Sequence, residues 1–310
     1  MLKYILKRLW ETIPTTFGIL LLTFTLFNVI GGSPAMTILG KNATKESIAE
    51  FNHKYGYDKP LIFAKDSQFS NFILNLSKGD FGYSIEHKEP VISVLKRGVG
   101  PSLSLTVPIL IGGVILALML AVVSAANRGG AVDKFILLVS TILMSVNYVV
   151  WVLAGQFFLG YKFSLFPVWG YDGIGYLVLP IAIGVFSSLG VDIRFFRAAV
   201  LDEMYKPYIL TARAKKLSKM KILFVHVLGN ALIPIATYVS LSIPYLFTGS
   251  LLLESFFGIP GLGQVSINAI HSADMAVVRT VVVLGALLYQ FVNLLSDLLN
   301  AALDPRVRPL

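Results

Sequence analysis

The residues of this chain that could do chemistry are mostly basic, and they concentrate in one polar stretch between two long apolar runs. Residues 205–234 are YKPYILTARAKKLSKMKILFVHVLGNALIP. The Lys and Arg residues between positions 197 and 221 are Arg197, Lys206, Arg213, Lys215, Lys216, Lys219 and Lys221. They face only two acids, Asp202 and Glu203. Cations at this density favour ion pairs with an acidic partner surface, so the stretch predicts a docking segment.

Other residue types that support catalysis are few and scattered. The histidines stand singly, at His53, His87, His226 and His271, and the chain has no cysteine. Metal binding and nucleophilic catalysis both need clustered ligands or a paired base. The phosphate-binding pattern G-x-x-x-x-G-K-[ST] is also missing from the sequence. We therefore predict that the chain is not an enzyme and has no metal site or cofactor of its own.

The composition indicates where the chain resides. Hydrophobic residues make up 55% of it and charged residues only 14%, and the mean hydropathy is +0.75. These values are not those of a soluble globular protein. A net charge of +9 could suit nucleic acid, but the cations occupy short segments between apolar runs rather than one soluble face. The sequence predicts an integral membrane protein.

Long apolar runs are the elements that must position the basic stretch. A helix needs about 20 apolar residues to cross a hydrocarbon core of roughly 30 Å. The runs that are long enough are 9–30, 101–126, 135–159, 174–196, 227–253 and 276–302. They lack the alternation of barrel strands, so the predicted fold is an all-α bundle. The first run exceeds the roughly 7–15 residue core of a cleaved signal and is interpreted as a retained span.

The distribution of charge orients the predicted spans. The net-basic segments are residues 1–8, 127–134, 197–226 and the tail with Arg306 and Arg308. Because basic loops stay on the cytoplasmic side, we expect these segments and both termini in the cytoplasm. Residues 31–97 then form an external lobe. Within it, Thr44 is the predicted N-cap of a helix that ends at Gly56.

Ionisable side chains within or beside the apolar runs form a second group of candidates. They are Asp192, Arg194, Glu254, Arg279 and Asp297. Charges near the membrane are costly, so such residues either hold helices together or line a pathway. Asp192 and Arg194 are two positions apart and do not share a helical face, which argues against a pair within one helix.

A signature can be recognised in and around the basic stretch. In the stretch it comprises Tyr208, residues 211–215 (TARAK), Leu217, Ser218, His226, Leu228, residues 230–232 (NAL) and Pro234. Elsewhere it comprises residues 55–61 (YGYDKPL), 79–84 (GDFGYS) and 260–263 (PGLG), Asn293, Asp297 and residues 303–306 (LDPR). Together these residues resemble the permeases of binding-protein-dependent ABC importers, and most of all the B-type subunit of dipeptide and oligopeptide permeases. The matches run in order over essentially the whole chain.

The resemblance implies a six-helix type I ABC importer transmembrane domain with an external lobe between helices 1 and 2. The implied parts are a cytoplasmic N-terminus with the first span (1–30), the lobe (31–97), the permease domain (98–303) with its coupling loop (197–226), and a cytoplasmic tail (304–310). In this family the loop fits a groove on an ATPase subunit. The implied docking residues are Tyr208, Thr211, Ala212, Arg213, Ala214, Lys215, Lys216, Leu217 and Ser218. Ala212 and Ala214 would permit close approach, and Tyr208, Leu217 and Leu223 would supply apolar anchors.

The resemblance also implies partners and a location. The partners are a second homologous permease subunit, two cytoplasmic ABC ATPase subunits that carry ATP and Mg, and an external substrate-binding protein, in a lipid membrane and without nucleic acid. The location is the cell (inner or plasma) membrane. Short peptides are the implied cargo, with nickel or another metal chelate as the alternative. An ATP-independent channel or secondary carrier is a hypothesis of a different class, because it would not need the docking loop.

Several positions depart from the pattern or remain open. Lys216 stands where the family has glycine, so it should be strained or force a different turn. Asn147 stands where the family commonly has proline, so the third span should be less kinked, and the amide either lines the pathway or bonds to another helix. Glu254 would either contact cargo at the outer mouth or be solvated at a helix end. Asn293 is a further pathway candidate, although it and Asp297 are expected mainly to hold helices together.

Overall fold

The chain folds almost entirely into helices in a computed structural model, which describes residues 2–30, 33, 35–40, 43–62, 64, 66–248 and 250–303. The first helices are α1 (Leu2–Phe24), α2 (Ala35–Leu39), α3 (Lys45–Tyr55), α4 (Gln68–Ser77), α5 (Val91–Ala126), α6 (Ala131–Ser145) and α7 (Tyr148–Gly155). The later ones are α8 (Gly175–Met204), α9 (Pro207–Ala214), α10 (Lys219–Lys221), α11 (Leu228–Ser240), α12 (Ile243–Thr248), α13 (Leu251–Phe257), α14 (Leu262–His271) and α15 (Met275–Leu303). Helical turns of the π type continue some of these helices at Thr25–Ile30, Gln156–Lys162 and Ile222–Val227. The predicted all-α fold is confirmed.

The helices that could cross a membrane match the six predicted runs in number. Among the described residues, the single stretches are Arg8–Val29, Val91–Ala126, Gly175–Met204, Lys219–Ser240 and Met275–Leu298. The sixth candidate is a bent pair, Ala131–Ser145 with Tyr148–Lys162. The bounds differ from the prediction most clearly in the third and fifth runs.

The third run is sharply broken, although the sequence predicted a weaker kink. α6 and α7 meet at an angle of 94°. Between them, Val146 and Asn147 are extended, with ψ of 131° and 140°. The Asn147 side chain accepts the backbone N–H of Val149 at 2.9 Å and so caps α7. The prediction was wrong because asparagine is a strong N-cap residue, which starts a new helix at the position where a family proline would bend one.

The fifth run, predicted over 227–253, does not form one helix. Its long helix starts at Lys219 and ends at Ser240, and the short helices α12 and α13 follow. Pro244 has no amide N–H and therefore fits the first turn of α12 better than the interior of a longer helix. Because α8 also extends to Met204, the predicted loop 197–226 is shorter than expected and is itself largely helical.

The segment between the first two spans contains the predicted capped helix and a small hairpin. Thr44 accepts the N–H of Ser47, and α3 ends at Gly56 with a φ of 73°, which confirms the Thr44 and Gly56 predictions. The strands β1 (Tyr83–Ser84) and β2 (Glu89–Pro90) pair antiparallel. The buried Asp274, just before α15, accepts the Ser84 hydroxyl at 2.6 Å. This bond ties the hairpin to the last span.

The main core lies where α5, α8 and α11 pack together. Its small members Ala117 and Ala121 on α5 are fully buried, which permits close approach to Phe196 on α8. Ile209 and Ala212 of the short helix α9 belong to the same cluster. The core therefore reaches from the spans into the basic stretch.

Charged residues in the spans hold helices together, which is one of the two roles that the sequence left open for them. Asp192 of α8 accepts the Tyr238 hydroxyl of α11 at 2.9 Å. Arg194 points elsewhere and donates to the Ser140 hydroxyl of α6 at 3.2 Å, which agrees with the prediction that it does not pair with Asp192. Asp297 of α15 pairs with Arg8 of α1 at 3.5 Å.

Candidate docking site

The basic stretch is centred on α9, an eight-residue helix that begins with proline. Pro207 occupies the first turn, where its missing N–H costs nothing and its fixed φ favours the helix. Ile209 and Ala212 are 1% and 7% exposed and face the core, whereas Leu210 is 64% exposed. The helix therefore has one face fixed to the bundle and the opposite face presented outward.

The C-terminal turn of α9 keeps the geometry that favours glycine, although its residue is lysine. Lys216 has a φ of +57°. Its N–H bonds to the Arg213 carbonyl at 2.9 Å, and the Leu217 N–H bonds to the Ala212 carbonyl at 3.4 Å. These two bonds define a Schellman motif, in which the left-handed residue is usually glycine. Of the two predicted alternatives, strain and a different turn, the structure has the strained lysine.

A buried carboxylate anchors α9 to the end of α8. Glu203 is 7% exposed. One of its oxygens accepts the Tyr208 hydroxyl at 2.5 Å, and the other pairs with Lys206. Asn230 of α11 donates to the Tyr208 oxygen at 3.2 Å and to the His226 carbonyl at 2.7 Å. The network joins α8, α9 and α11 through a few side chains.

The pKa of Tyr208 is consistent with its role as a hydrogen-bond donor to Glu203. Burial of its hydroxyl, and secondly the neighbouring Glu203 carboxylate, raise the pKa of Tyr208 to about 12. The hydroxyl therefore stays protonated at neutral pH and donates to the carboxylate. The sequence analysis counted Glu203 only as a charge opposing the basic residues. Its position five residues before the matched tyrosine is the signal that could have identified it.

The cations of the docking stretch divide into internal and outward-facing groups. Arg197 and Lys206 are paired with carboxylates of the same chain, namely Asp133 and Glu203. The exposed group, which has no carboxylate partner among the described residues, is Arg213, Lys215, Lys216, Lys219 and Lys221. Five cations with two short helices thus form an outward basic face. We call these five residues, with Leu210 and Met220, the docking face.

Two of the predicted apolar anchors need correction. Leu223 is buried in the core of the chain itself, and Leu217 is half-buried against it, so both offer a partner less contact than expected. Ala212, predicted to permit close approach, is buried in the same core. The large apolar side chains that do face outward on these helices are Leu210 and Met220, each 64% exposed. For Leu223 helical phase explains the difference, because the side of a helix that packs on the bundle buries its own apolar residues. Leu217 lies in the turn between α9 and α10.

The remaining predicted docking residues lie on or beside the docking face. Thr211 and Ala214 are exposed on α9. Ser218 is the N-cap of α10 and accepts the N–H of Lys221 at 3.3 Å. The Tyr208 ring is 37% exposed, although its hydroxyl is held inside the network described above. The structure therefore brings the predicted residues together on one short connector, with Ala212 buried and Leu217 half-buried.

A second ion pair braces the same end of the bundle. Arg197 of α8 donates two hydrogen bonds of 2.8 Å to the Asp133 carboxylate of α6. Ser124 of α5 donates to the same carboxylate at 2.5 Å, and the Gly129 N–H donates at 2.8 Å. The Asp133 side chain is only 4% exposed. Three spans therefore meet at one bidentate ion pair near the C-terminal end of α8.

At the opposite end of the bundle, Glu254 occupies a closed cradle. It is 0% exposed. Its Oε1 accepts the Ser102 hydroxyl at 2.8 Å and the Ser250 N–H at 3.0 Å. Its Oε2 accepts the N–H groups of Gly263 and Gln264, at 2.6 and 3.2 Å, in the first turn of α14. A carboxylate is favoured at a helix N-terminus, so the arrangement fixes α13 to α14 and α5.

Of the roles left open for Glu254, the structure has the one in which the residue holds helices together, and its carboxylate is buried rather than solvated. All the polar contacts of the carboxylate are internal donors, and a Cβ at Gly261 would lie 2.4 Å from Oε2. This close approach explains why the PGLG segment, residues 260–263, needs glycine. In the sequence this segment and Glu254 are separate matches, and only the fold joins them into one unit.

The other pathway candidates, Asn147 and Asn293, make few side-chain hydrogen bonds within the described residues. Asn147 is exposed and caps α7, so its amide oxygen is used within its own segment rather than between helices. Asn293 is half-buried in α15 and has no hydrogen-bond partner in the part of the chain that the structure describes. Within that same part, no group of three or more His, Asp or Glu side chains could hold a metal ion.

Two family models cover the chain between them. One is described as "Binding-protein-dependent transport system inner membrane component" and matches residues 101–309. The other is its N-terminal companion, "Binding-prot-dependent transport system membrane comp, N-term", which matches residues 1–106. The boundary between them lies inside α5.

Curated relatives match over their full length. The chain is 33% identical to the dipeptide transport system permease protein DppB of Lactococcus lactis subsp. cremoris over 99% of this chain and 100% of that protein. It is 32% identical to a probable peptide ABC transporter permease protein of Sinorhizobium fredii, over 98% and 99%. It is 31% identical to the glutathione transport system permease protein GsiC of Escherichia coli, over 99% of each.

A solved structure supports the fold. The MetNI methionine ABC transporter in an inward-facing conformation contains a chain that matches this one with a TM-score of 0.56 and 19% identity, over 69% of this chain and 97% of that chain. At that identity the likeness concerns the fold alone. Together with the family models and the full-length relatives, it leads to one conclusion: the chain belongs to the family of binding-protein-dependent transport system inner membrane components.

Proposed function

We propose that this chain is the permease subunit that forms half of the translocation pathway of an ATP-driven importer for short peptides. The observation that carries the proposal is the docking face, an outward basic surface whose supporting helix is fixed to the core through Ile209 and the Glu203–Tyr208 bond. Family membership supports the class of transporter.

The energy for transport is proposed to come from two cytoplasmic ABC ATPase subunits, which would bind ATP and Mg. This chain lacks the phosphate-binding pattern that such chemistry needs. The docking face suits a groove with an acidic rim, because Arg213 and the lysines beside it can form ion pairs while Leu210 and Met220 supply apolar contact. A second, homologous permease subunit would complete the pathway.

The orientation follows from the same surface. We place the docking face, residues 127–134 and both termini in the cytoplasm, because each of these segments is net basic. The segment between the first two spans, approximately residues 31–97, and the Glu254 cradle then lie on the outer side, where an external binding protein would deliver the cargo.

Movement of the ATPase subunits would reach the spans through the anchors of α9. The Tyr208–Glu203 bond connects α9 to α8, and Asn230 connects it to α11. The Arg197–Asp133 pair connects α8 onward to α6. A rigid displacement of α9 is thus transmitted to three spans, which is the mechanical requirement of alternating access.

Peptides are preferred as cargo over a nickel or other metal chelate. The relatives named above are dipeptide, peptide and glutathione permeases, and each covers almost the whole chain. Glutathione is itself a short peptide with carboxylate groups. A channel or secondary carrier is less well supported, because neither would need the docking face.

The test is uptake by the complete transporter in liposomes. With both permease subunits, the ATPase subunits and the binding protein present, labelled di- and tripeptides should accumulate only with ATP. Arg213→Glu on the docking face should reduce uptake, and Lys162→Glu, which reverses one charge near the other end of the bundle, should not. Uptake by this chain alone under an ion gradient, or stimulation by a metal chelate and by no peptide, would overturn the proposal.

A further inference from the structure

A cavity of about 750 Å³ lies between the external segment and the ends of the first and last spans. Its wall combines Asn28 from the first span, Tyr57, Gln68 and Phe72 from the external segment, and Arg279 from α15. A cavity of this volume is large enough for a small organic molecule. It lies away from the docking face and takes no part in the coupling network described above.

Arg279 is the charged centre of this cavity. It is partly buried, and its Nη1 donates to the Asn28 side-chain oxygen at 3.3 Å. Its guanidinium lies over the Phe72 ring, with 5.5 Å to the ring centroid. Among the described residues it makes no ion pair with a carboxylate. A sheltered cation without an anion is unfavourable, and one amide bond and one ring offset only part of that cost.

The other charges of the wall leave this cation uncompensated. Asp80 also lines the cavity, but its Oδ1 accepts the Gly82 N–H at 2.9 Å and it does not reach Arg279. Lys59 lines the cavity too and is neutralised by Asp66, at 2.7 Å. Lys88 adds a further positive charge at the wall. The cavity is therefore electropositive, with Arg279 as its most sheltered cation.

The rest of the wall suits the body of an organic anion. Gln68 and Asn71 supply amide groups, and Phe72 and Tyr57 supply aromatic surface. The Gln68 amide nitrogen is already held by the Tyr57 and Lys59 carbonyls, at 3.0 and 2.9 Å, so the wall is braced before any ligand enters. A planar guanidinium pairs with a carboxylate or phosphate through two parallel hydrogen bonds.

We propose that this cavity is a binding site for a small organic anion, whose carboxylate or phosphate group pairs with Arg279 while its apolar part contacts Phe72 and Tyr57. Such a group could belong to a short peptide or to the head of an anionic phospholipid. The site does not depend on ATPase docking, so it can be tested apart from the transport activity proposed above.

The test uses the full chain in nanodiscs of neutral phosphatidylcholine. Calorimetric titrations with trialanine, trialanine amide and inorganic phosphate measure binding of soluble anions. Native mass spectrometry after addition of phosphatidylglycerol measures retention of an anionic lipid. The variants are Arg279→Gln, which removes the charge, and Arg279→Lys, which keeps it. The matched control is Lys96→Gln, because Lys96 is an exposed cation of α5 outside the cavity wall.

The proposal predicts that at least one anion binds the wild-type chain and the Lys96→Gln variant equally. Arg279→Gln should weaken that binding about tenfold or more, and Arg279→Lys less. Binding of trialanine but not its amide would identify a peptide carboxylate as the ligand, and retention of phosphatidylglycerol would identify a lipid. Binding of none of these anions, or equal binding by wild type and Arg279→Gln, would overturn the proposal. If Arg279→Gln does not fold, the comparison of wild type with Arg279→Lys decides, since equal binding of every anion again contradicts the fork-like pairing.

Discussion

The Tyr208 hydroxyl donates a 2.5 Å hydrogen bond to the buried Glu203 carboxylate, and this bond links the docking helix α9 to the end of α8. The two residues are five positions apart and lie on either side of the turn between the helices. A bond at this place can transmit a displacement of α9 directly to a membrane span. The same hydroxyl also accepts from Asn230, so one side chain connects three helices.

Removing that hydroxyl should weaken coupling. In the Tyr208→Phe variant the ring remains but Glu203 loses a charge-assisted hydrogen bond, which contributes about 1.5–3 kcal/mol in similar settings. We expect a lower melting temperature and a smaller stimulation of ATP hydrolysis by the binding protein with cargo. The control is Tyr161→Phe, since Tyr161 is 74% exposed. Equal coupling in both variants would show that the Tyr208 bond is not a transmission element.

The strained turn at Lys216 should be relieved by glycine. Lys216→Gly removes the steric cost of a φ near +57°, of about 1 kcal/mol, so the connector should become more stable. We expect co-purification with the ATPase subunits to be unchanged or stronger. Lys215→Gly is the matched control, because Lys215 has a φ of −74° and gains nothing from glycine. A weaker complex with Lys216→Gly alone would contradict this account.

The Arg197–Asp133 ion pair should contribute more to the free energy of unfolding than an exposed ion pair does. Replacing Arg197 with Met leaves Asp133 buried with no cation, at a cost of about 3 kcal/mol, and should lower the melting temperature clearly. The comparison is Arg97→Met, which breaks the more exposed pair with Glu89 and should have a smaller effect. The double variant Asp133→Leu with Arg197→Met should be more stable than Arg197→Met alone. If the double variant is no more stable than Arg197→Met, the ion pair has another role.

The Glu254 cradle predicts a steric requirement at Gly261. Gly261→Ala places a methyl group 2.4 Å from the Glu254 Oε2 and 2.5 Å from the Ser102 hydroxyl, so the cradle must open. We expect a loss of about 1–3 kcal/mol, seen as a lower melting temperature and a higher rate of proteolysis near residues 250–275. Gly100→Ala is the control, because nothing lies within 4 Å of its added Cβ. It should be neutral or slightly stabilising.

The break at Asn147 predicts which substitutions are tolerated there. Asn147→Ala removes the cap of α7 and should destabilise the protein by about 1 kcal/mol. Asn147→Pro fits the observed φ of −60°, and the extended Val146 before it suits a following proline, so it should preserve the bend. The melting temperatures of the two variants test whether alanine is the more destabilising substitution. Greater damage from proline than from alanine would contradict the backbone conformation described at positions 146 and 147.

The broad architecture could be predicted because long apolar runs and basic loops are direct consequences of the membrane environment. Six runs, the all-α fold, the Thr44 cap and the connector around Tyr208 all follow from composition, spacing or a matched motif. The breaks within runs could not be predicted as well. The asparagine cap at 147 and the proline at 244 begin new helices within apolar runs, so hydropathy does not register the breaks.

The details of the site could not be predicted from the sequence, because they depend on the direction in which each side chain points. Leu217 and Leu223 are apolar residues of the kind that anchor interfaces, but the turn after α9 half-buries Leu217 and helical phase turns Leu223 inward. Glu254 looks like a carboxylate at an open mouth until the α13 and α14 segments fold around it. Arg279 stood in the sequence as one charge among several near the membrane. Only the folded chain shows that it faces a cavity and that no carboxylate among the described residues pairs with it.

The most direct test of the central claim is a crosslink from the docking face in the assembled transporter. The chain has no cysteine, so Leu210→Cys introduces a unique thiol on the exposed side of α9. The account predicts that a short thiol crosslinker joins this position to an ATPase subunit, and that a membrane-impermeant thiol reagent added outside intact cells does not label it. Labelling from outside, or a free thiol in a fully assembled and transporting complex, would contradict it.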